Sequence, residues 1–548
     1  MLAFFTLIVS MFIAMALIPP LMKSAARLSF VDIPDERKIH STPKPRIGGV
    51  AMVAGAVTPM VLWIDHTQQV LALLFGIAVI LVFGVWDDRR DLGYQIKFVG
   101  QLAAVLIVVL LGDIVIHFVP LFGIEPVPQF VAIPLTIFAL LGVTNAVNLA
   151  DGLDGLASGL TFLSFAAIGI LGYIAGDETL LLVALAVMGS IIGFLRYNTH
   201  PAQIFMGDSG SQFLGYTVGV LTIMLSQQTN QTMSPAMPLL ILGLPLIDTF
   251  MVMGQRIAAK RSPFKPDKNH IHHRLMAVGF DHYECVIFIY SVQTVLVSLG
   301  FLLRYQSDVL LLGIFSFVLI ATVIGFSFAE RYQWRAHIDD EAAERAPLVR
   351  FVNKLRRSAV LVRYPVLFAA VSIPLYAAYA IVATARFPVD AQLMAGALLV
   401  VALAFLLVRR GRQGFGIVER LILYVTITSV TYYWCSSGAA APVPAFIEDL
   451  YFAILGVILL VAYRFSRGRV YEVTPTDFLI IFVALLVPTL GGAFLPYPFL
   501  GEVAIKTLVM FYAVELIVAL AGAHLLLMRG VVCVVLSLFV LRAGFIGM

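Results

Sequence analysis

The chain has 548 residues, of which 61% are hydrophobic and 12% charged, with a formal net charge of +4 and a mean hydropathy of +0.97. These values exclude a soluble domain, and strand alternation is nowhere sustained, which excludes a membrane barrel. An all-α, polytopic bundle of transmembrane helices is expected, with the lipid bilayer as a partner and no nucleic acid.

Apolar runs long enough to cross a bilayer, about 20 residues each, recur along the chain. They predict helices near 1–22, 48–64, 70–86, 97–117, 131–148, 158–175, 179–195, 210–226, 237–254, 285–303 and 309–328, eleven in all. The first has no basic stretch before it and is followed by Lys23 and Arg27, so an uncleaved first helix is expected. The loops sort into two sets. One carries Lys23 to Arg46, Arg89 and Arg90, Arg196, and Arg256 to Arg274; the other carries only Arg304. The positive-inside rule makes the first set cytoplasmic and puts the N-terminus outside.

Residues 331–363 read as a linker, whose half from Leu348 to Arg363 mixes Val, Leu and Phe with Arg350, Lys354, Arg356 and Arg357. It is either a basic helix on an anionic leaflet or a solvated connector. Six or seven further apolar runs fill 364–548, read as a separate membrane domain of unknown role without a dense polar cluster near its loops. Cys285, Cys435 and Cys533 lie far apart in apolar runs and read as core residues.

Four polar clusters all fall on the cytoplasmic side. Asp87 and Asp88, followed by Arg89 and Arg90, are adjacent carboxylates that a divalent cation would reconcile; a solvated loop with the aspartates paired to the arginines is the alternative. Asn145, Asn148, Asp151 and Asp154 recur every third residue, a spacing that places them on one face of a helix or helix-like turn where they can converge on one bound object. Asn198 precedes Phe205-Met-Gly-Asp208-Ser-Gly, where Asp208 caps a helix, binds a metal–phosphate pair, or does both. The loop from Arg261 to Arg274 carries His270, His272 and His273 among basic residues, suited to anionic ligands; zinc is a rival reading. Asp248 is either a further site residue or a packing group. Acidic groups for a hard cation and basic groups for phosphates favour metal-assisted phosphoryl transfer at the membrane surface. A transporter would instead place its carboxylates at the midplane, and a non-catalytic scaffold would not need them.

These ordered motifs, together with Arg37-Lys38-Ile-His40 and Pro43-x-x-Arg46-x-Gly48-Gly49, resemble the polyprenyl-phosphate N-acetylhexosamine-1-phosphate transferases over roughly residues 1–330. The resemblance implies transfer of a sugar-1-phosphate from a UDP-sugar to undecaprenyl phosphate in the bacterial inner membrane, releasing UMP and starting a cell-surface polysaccharide. It implies Mg2+, with Mn2+ as a substitute, held by Asp208 and Asn148. It makes Asp87 the base in a direct attack, with covalent catalysis by a carboxylate as the other route, and sets Asp88 at the metal–diphosphate region. Asp151, Asp154, Asn198 and Phe205 would line the uridine pocket. His270, His272, His273 and Arg274 would face the diphosphate and sugar, and Lys97 a phosphate. N-acetylglucosamine is the first expectation for the sugar, a 6-deoxy HexNAc and a homodimer being left open.

Overall fold

The computed structural model describes residues 2–32, 43–123, 125–260, 262, 269–336, 360–384, 387–408, 417–437, 443–465, 477–479, 481, 499–520 and 525–545. The chain divides into two compact units, Met1–His337 with Thr474–Leu479, and Ile338–Val473 with Ile480–Met548. Among the described helices, nine are long and apolar enough to cross a membrane.

The first unit contains α1 Leu2–Ala25, α2 Gly48–Trp63, α3 Gln68–Arg90, α4 Tyr94–Leu106, α5 Gln129–Ala150, α6 Leu156–Ala175, α7 Glu178–Asn198, α8 Gly207–Ile223, α9 Met237–Leu242, α10 Leu244–Ala258, α11 Ile271–Val278, α12 His282–Leu302 and α13 Asp308–Arg331. Local chemistry sets several starts. The side chains of Thr67 and Asp177 accept the backbone N–H three residues on, and Asp281 with Glu284 forms a reciprocal capping box ahead of α12. A short ribbon pairs β1 Val31–Asp32 with β2 Lys44–Pro45.

Close approach of backbones packs the bundle, as expected where lipid is no less apolar than leucine. A Cβ on Gly189 or Gly193 of α7 would lie 2.2 Å from Leu7 O or 2.6 Å from Met11 O of α1. The predicted span 237–254 is two helices, α9 and α10, broken at Gly243 with φ +48°. Gln293 of α12 repairs the break. Its amide donates to Ile241 O at 3.0 Å and its carbonyl accepts Leu244 N–H at 2.8 Å, replacing the backbone bonds lost there. The basic loop expected after this span contains the short helix α11.

The second unit holds α14 Val360–Ala383, α15 Val389–Val408, α16 Ile417–Ser436, α17 Ala445–Phe465, α18 Phe499–Leu520 and α19 Leu525–Phe545. Its apolar core includes Ala369, Trp434, Phe452, Ala513 and Phe539. It also encloses charge. Lys506 is 3% exposed and 2.5 Å from Glu448, which accepts from Tyr376 Oη at 2.8 Å and Trp434 Nε1 at 3.1 Å. Lys506 also pairs with Glu502, and Arg529 meets Glu419 at 2.7 Å with both buried. The basic segment Leu348–Arg363 lies outside the described residues up to Val360, where α14 begins.

Candidate active site

The end of α3, the start of α4, the end of α5, the start of α6, the end of α7 and the start of α8 come to one side, tied by side-chain contacts across them. Asp87 and Asp88 close α3, Lys97 opens α4, Asn148 closes α5, and Asp208 opens α8. Asp87, Asp88 and Asp208 present carboxylate oxygens that all lie within 4.8 Å of one another.

The three carboxylates are held differently. Asp88 is fully engaged. It accepts Asp208 N–H at 2.7 Å, Ser209 N–H at 3.1 Å, Ser209 Oγ–H at 2.6 Å and Arg46 Nε–H at 3.0 Å. A residue of α3 thus caps α8, satisfying backbone N–H groups that the helix itself leaves free. Gly207, with φ +70°, lets the two approach, since a Cβ there would lie 2.4 Å from Asp88 Oδ1. Asp87 accepts Leu92 N–H at 2.6 Å through Oδ1. Its buried Oδ2 lies 2.7 Å from Lys97 Nζ but has no aligned hydrogen bond. Asp208 accepts from Lys97 Nζ at 2.8 Å, while Asn148 Nδ2 donates to Ser211 Oγ at 2.7 Å and lies 3.4 Å from Asp208 Oδ1. Arg46 lies 3.5 Å from Asp87 and 4.0 Å from Asp208. The pairing of Asp87 and Asp88 is therefore to Arg46 and Lys97, not to the adjacent Arg89 and Arg90.

Phe205 brings Arg46 into place. Its N–H donates to Pro45 O at 2.8 Å and its carbonyl accepts Gly48 N–H at 2.9 Å, while Gly49 N–H meets Met206 O at 2.8 Å. Lys44 Nζ stands 5.3 Å from the centre of the Phe205 ring.

The helix ends at Ala150, so only Asn145 and Asn148 share a face of α5 while Asp151 and Asp154 follow its end, which corrects the expectation for all four. Asn145 donates to Gln101 of α4 at 2.8 Å. Asn148 meets Asp208, as above. Asp151 follows the last residue of α5, half-buried, and its carboxyl is pushed up to about 7 by burial and then by the charge of Asp208, with Arg46 opposing. Asp154 lies beyond the helix, 2.7 Å from His200 Nδ1, and accepts Ala202 N–H at 3.0 Å; its own N–H donates to His282 Nε2 at 3.1 Å. Asn198 ties the same turn, accepting Gly155 N–H at 2.9 Å and donating to Ile204 O at 2.8 Å.

The histidines are also divided. His270 Nδ1 is 2.8 Å from buried Asp248, which accepts Ile271 N–H at 2.8 Å and so holds the start of α11. His272 packs on Gly152, where a Cβ would lie 2.1 Å from Nε2. That nitrogen is buried without a partner. Burial first, and then His273 and His270, lower the His272 pKa to about 3, so the ring is neutral. The His273 ring lies 4.2 Å from that of His272. Arg274 donates to Gln255 at 3.3 Å, yet its Nε and Nη1 are buried without partners. Unmet donors there suit an anionic ligand.

Sequence reasoning assigned no role to Ser209, Ser211, His200 or His282, and gave Arg46 only a place in a motif. The only signal was that Arg46 and Ser209 lie inside sequence motifs.

The family model for glycosyl transferase family 4 matches residues 70–226. A Bacillus subtilis protein described as a probable undecaprenyl-phosphate N-acetylglucosaminyl 1-phosphate transferase is 38% identical over 287 residues, 52% of this chain and 80% of that protein. The Escherichia coli K12 undecaprenyl-phosphate alpha-N-acetylglucosaminyl 1-phosphate transferase is 32% identical over 52% of this chain and 79% of its own length. A Mycobacterium leprae decaprenyl-phosphate N-acetylglucosaminephosphotransferase is 34% identical over 48% and 75%.

Proposed function

The chain belongs to glycosyl transferase family 4, and from that premise we propose that it transfers N-acetylglucosamine 1-phosphate from UDP-N-acetylglucosamine to undecaprenyl phosphate. An oxygen of the lipid phosphate attacks the phosphorus that carries the sugar, the bond to the uridylyl phosphate breaks, and UMP leaves. The product is a lipid-linked diphosphosugar, the first intermediate of a cell-surface polysaccharide. The observation that carries this reading is Lys97 Nζ lying between Asp87 at 2.7 Å and Asp208 at 2.8 Å, acids and a cation joined at one end of a membrane bundle.

In this reading Asp87 receives the proton of the lipid phosphate, because its Oδ2 is buried and lacks an aligned donor. Lys97 moves from the carboxylates to the phosphates as they enter. Arg274, with two unpaired buried nitrogens, and neutral His272 hold the diphosphate and sugar. Asp208 offers carboxylate oxygens, and Asn148, whose amide nitrogen faces Asp208 at 3.4 Å, would add its oxygen on turning the amide, a hard donor set for Mg2+, whereas Asp88 already accepts from four donors. When bound, the ion neutralises charge on the diphosphate. The basic loops support a plasma-membrane protein with this site on its cytoplasmic face.

The test is UMP release by the purified full-length protein given undecaprenyl phosphate, Mg2+ and UDP-N-acetylhexosamines one at a time. Release should require lipid and metal together and be fastest with UDP-N-acetylglucosamine. Release that is independent of the lipid, or confined to another donor, would overturn the assignment.

A further inference from the structure

The arginines beside the two aspartates are left over from the site. The carboxylates are held by Arg46 and Lys97, while Arg89 and Arg90 are exposed and their side chains make no hydrogen bond or ion pair among the described residues. They close a stripe along α3. Val82, Val85, Trp86 and Arg89 recur at intervals of three and four, so they share one face, with Arg90 beside them. Asp87 and Asp88 are buried on the inner side, 0% and 8% exposed, whereas Val82 is 63% and Trp86 43% exposed.

Phe30 joins this stripe, and together these six residues line an open groove of about 450 Å³. Its wall is apolar along the spanning part of α3, with a tryptophan near the helix end and two guanidinium groups at that end. An interface tryptophan, an apolar wall below it and unpaired arginines at the rim match the three parts of a phospholipid: glycerol region, acyl chain and phosphate. Two forked guanidinium groups suit phosphate better than any other headgroup element.

We propose that this groove binds an anionic phospholipid of the surrounding bilayer through its phosphate, and that the bound lipid steadies the end of α3 that carries Asp87 and Asp88. The occupant is a bilayer lipid, not the acceptor substrate, because the arginines open outward while the reactive carboxylates are buried behind the helix. The enzyme is thereby sensitive to the charge of its own membrane.

Native mass spectrometry of the purified full-length protein, with phosphatidylglycerol, phosphatidylcholine or undecaprenyl phosphate added separately, reads the occupant. Wild type should retain phosphatidylglycerol over phosphatidylcholine. Arg89→Gln with Arg90→Gln should weaken that retention on the order of ten- to thirty-fold, the combined effect of two arginines at an anionic surface. Arg89→Lys with Arg90→Lys should fall between, since charge is kept and the fork lost. In vesicles, phosphatidylglycerol should raise UMP release by wild type and not by the glutamine variant, with equal release in phosphatidylcholine alone. Equal retention of phosphatidylglycerol by all three proteins overturns the proposal. Selective loss of undecaprenyl phosphate overturns it too, and assigns the groove to the substrate.

Discussion

Asp88 and Asp208 lie side by side, yet their substitution should have different consequences. Asp208→Asn keeps the shape and removes a charge at a partly open carboxylate; activity should fall on the order of 10²- to 10³-fold with the melting temperature nearly unchanged. Asp88→Asn puts an amide donor against the N–H of either Asp208 or Ser209. An unmet buried group of that kind costs about 1–3 kcal/mol, so this variant should lose stability as well as turnover. Calorimetry beside UMP release separates the two, and an Asp88→Asn protein with wild-type melting would contradict the capping role.

Asp151 carries a pH signature. Its folded pKa is about 7, against about 3.9 in an unfolded chain. Between these values the folded state holds a proton that the unfolded state has lost, so stability falls as pH rises through that window and levels off above it. Asp151→Asn should flatten the slope. Melting temperatures in EDTA from about pH 4.5 to 8 would show it, and parallel slopes for both proteins would refute it.

At the scale of elements, the turn after α5 and the helix α11 meet where His272 packs on Gly152. Gly152→Ala places a methyl 2.1 Å from His272 Nε2, which must displace the His272 ring. UMP release should drop by about two orders of magnitude, the usual cost of a catalytic group misplaced by about 1 Å, while the bundle still melts cooperatively. Undiminished release would show that His272 is not positioned there. Hydropathy was enough to locate the helices, because spanning runs are long and polar breaks short. It missed the break at Gly243, although Gly243-Leu-Pro245 is a known breaker pattern, because the apolar run continues unchanged through it. It also missed what joins the elements: Asp88 meets Asp208 across 120 positions and Asp154 meets His282 across 128, and no local periodicity reports such pairs. Regular spacing even misled, since Asn145, Asn148, Asp151 and Asp154 lie at equal intervals although the helix ends at Ala150.

For the whole molecule, the second unit raises the question of what its buried charges do. Lys506→Met would leave the half-buried Glu448 carboxylate without its buried cation, a change whose cost stays below the about 3–5 kcal/mol of a fully buried pair. The unit supplies none of the site residues described above. The variant should therefore melt earlier yet release UMP at the wild-type rate per folded molecule. A parallel loss of release would make that unit part of the catalytic apparatus. Its charges escaped the sequence reading because Glu419, Glu448, Lys506 and Arg529 stand on four different helices.

Asp88 belongs to one helix and ends another, while Ser209 and Arg46 complete its shell of donors. Such an arrangement has no local remedy. A neutral residue at position 88 would leave Arg46 without its main acceptor and Ser209 with an idle hydroxyl, so in natural variation these three positions should change together or not at all. Positions 89 and 90, one and two steps along the same chain, face outward instead and should change only with the membrane each organism makes.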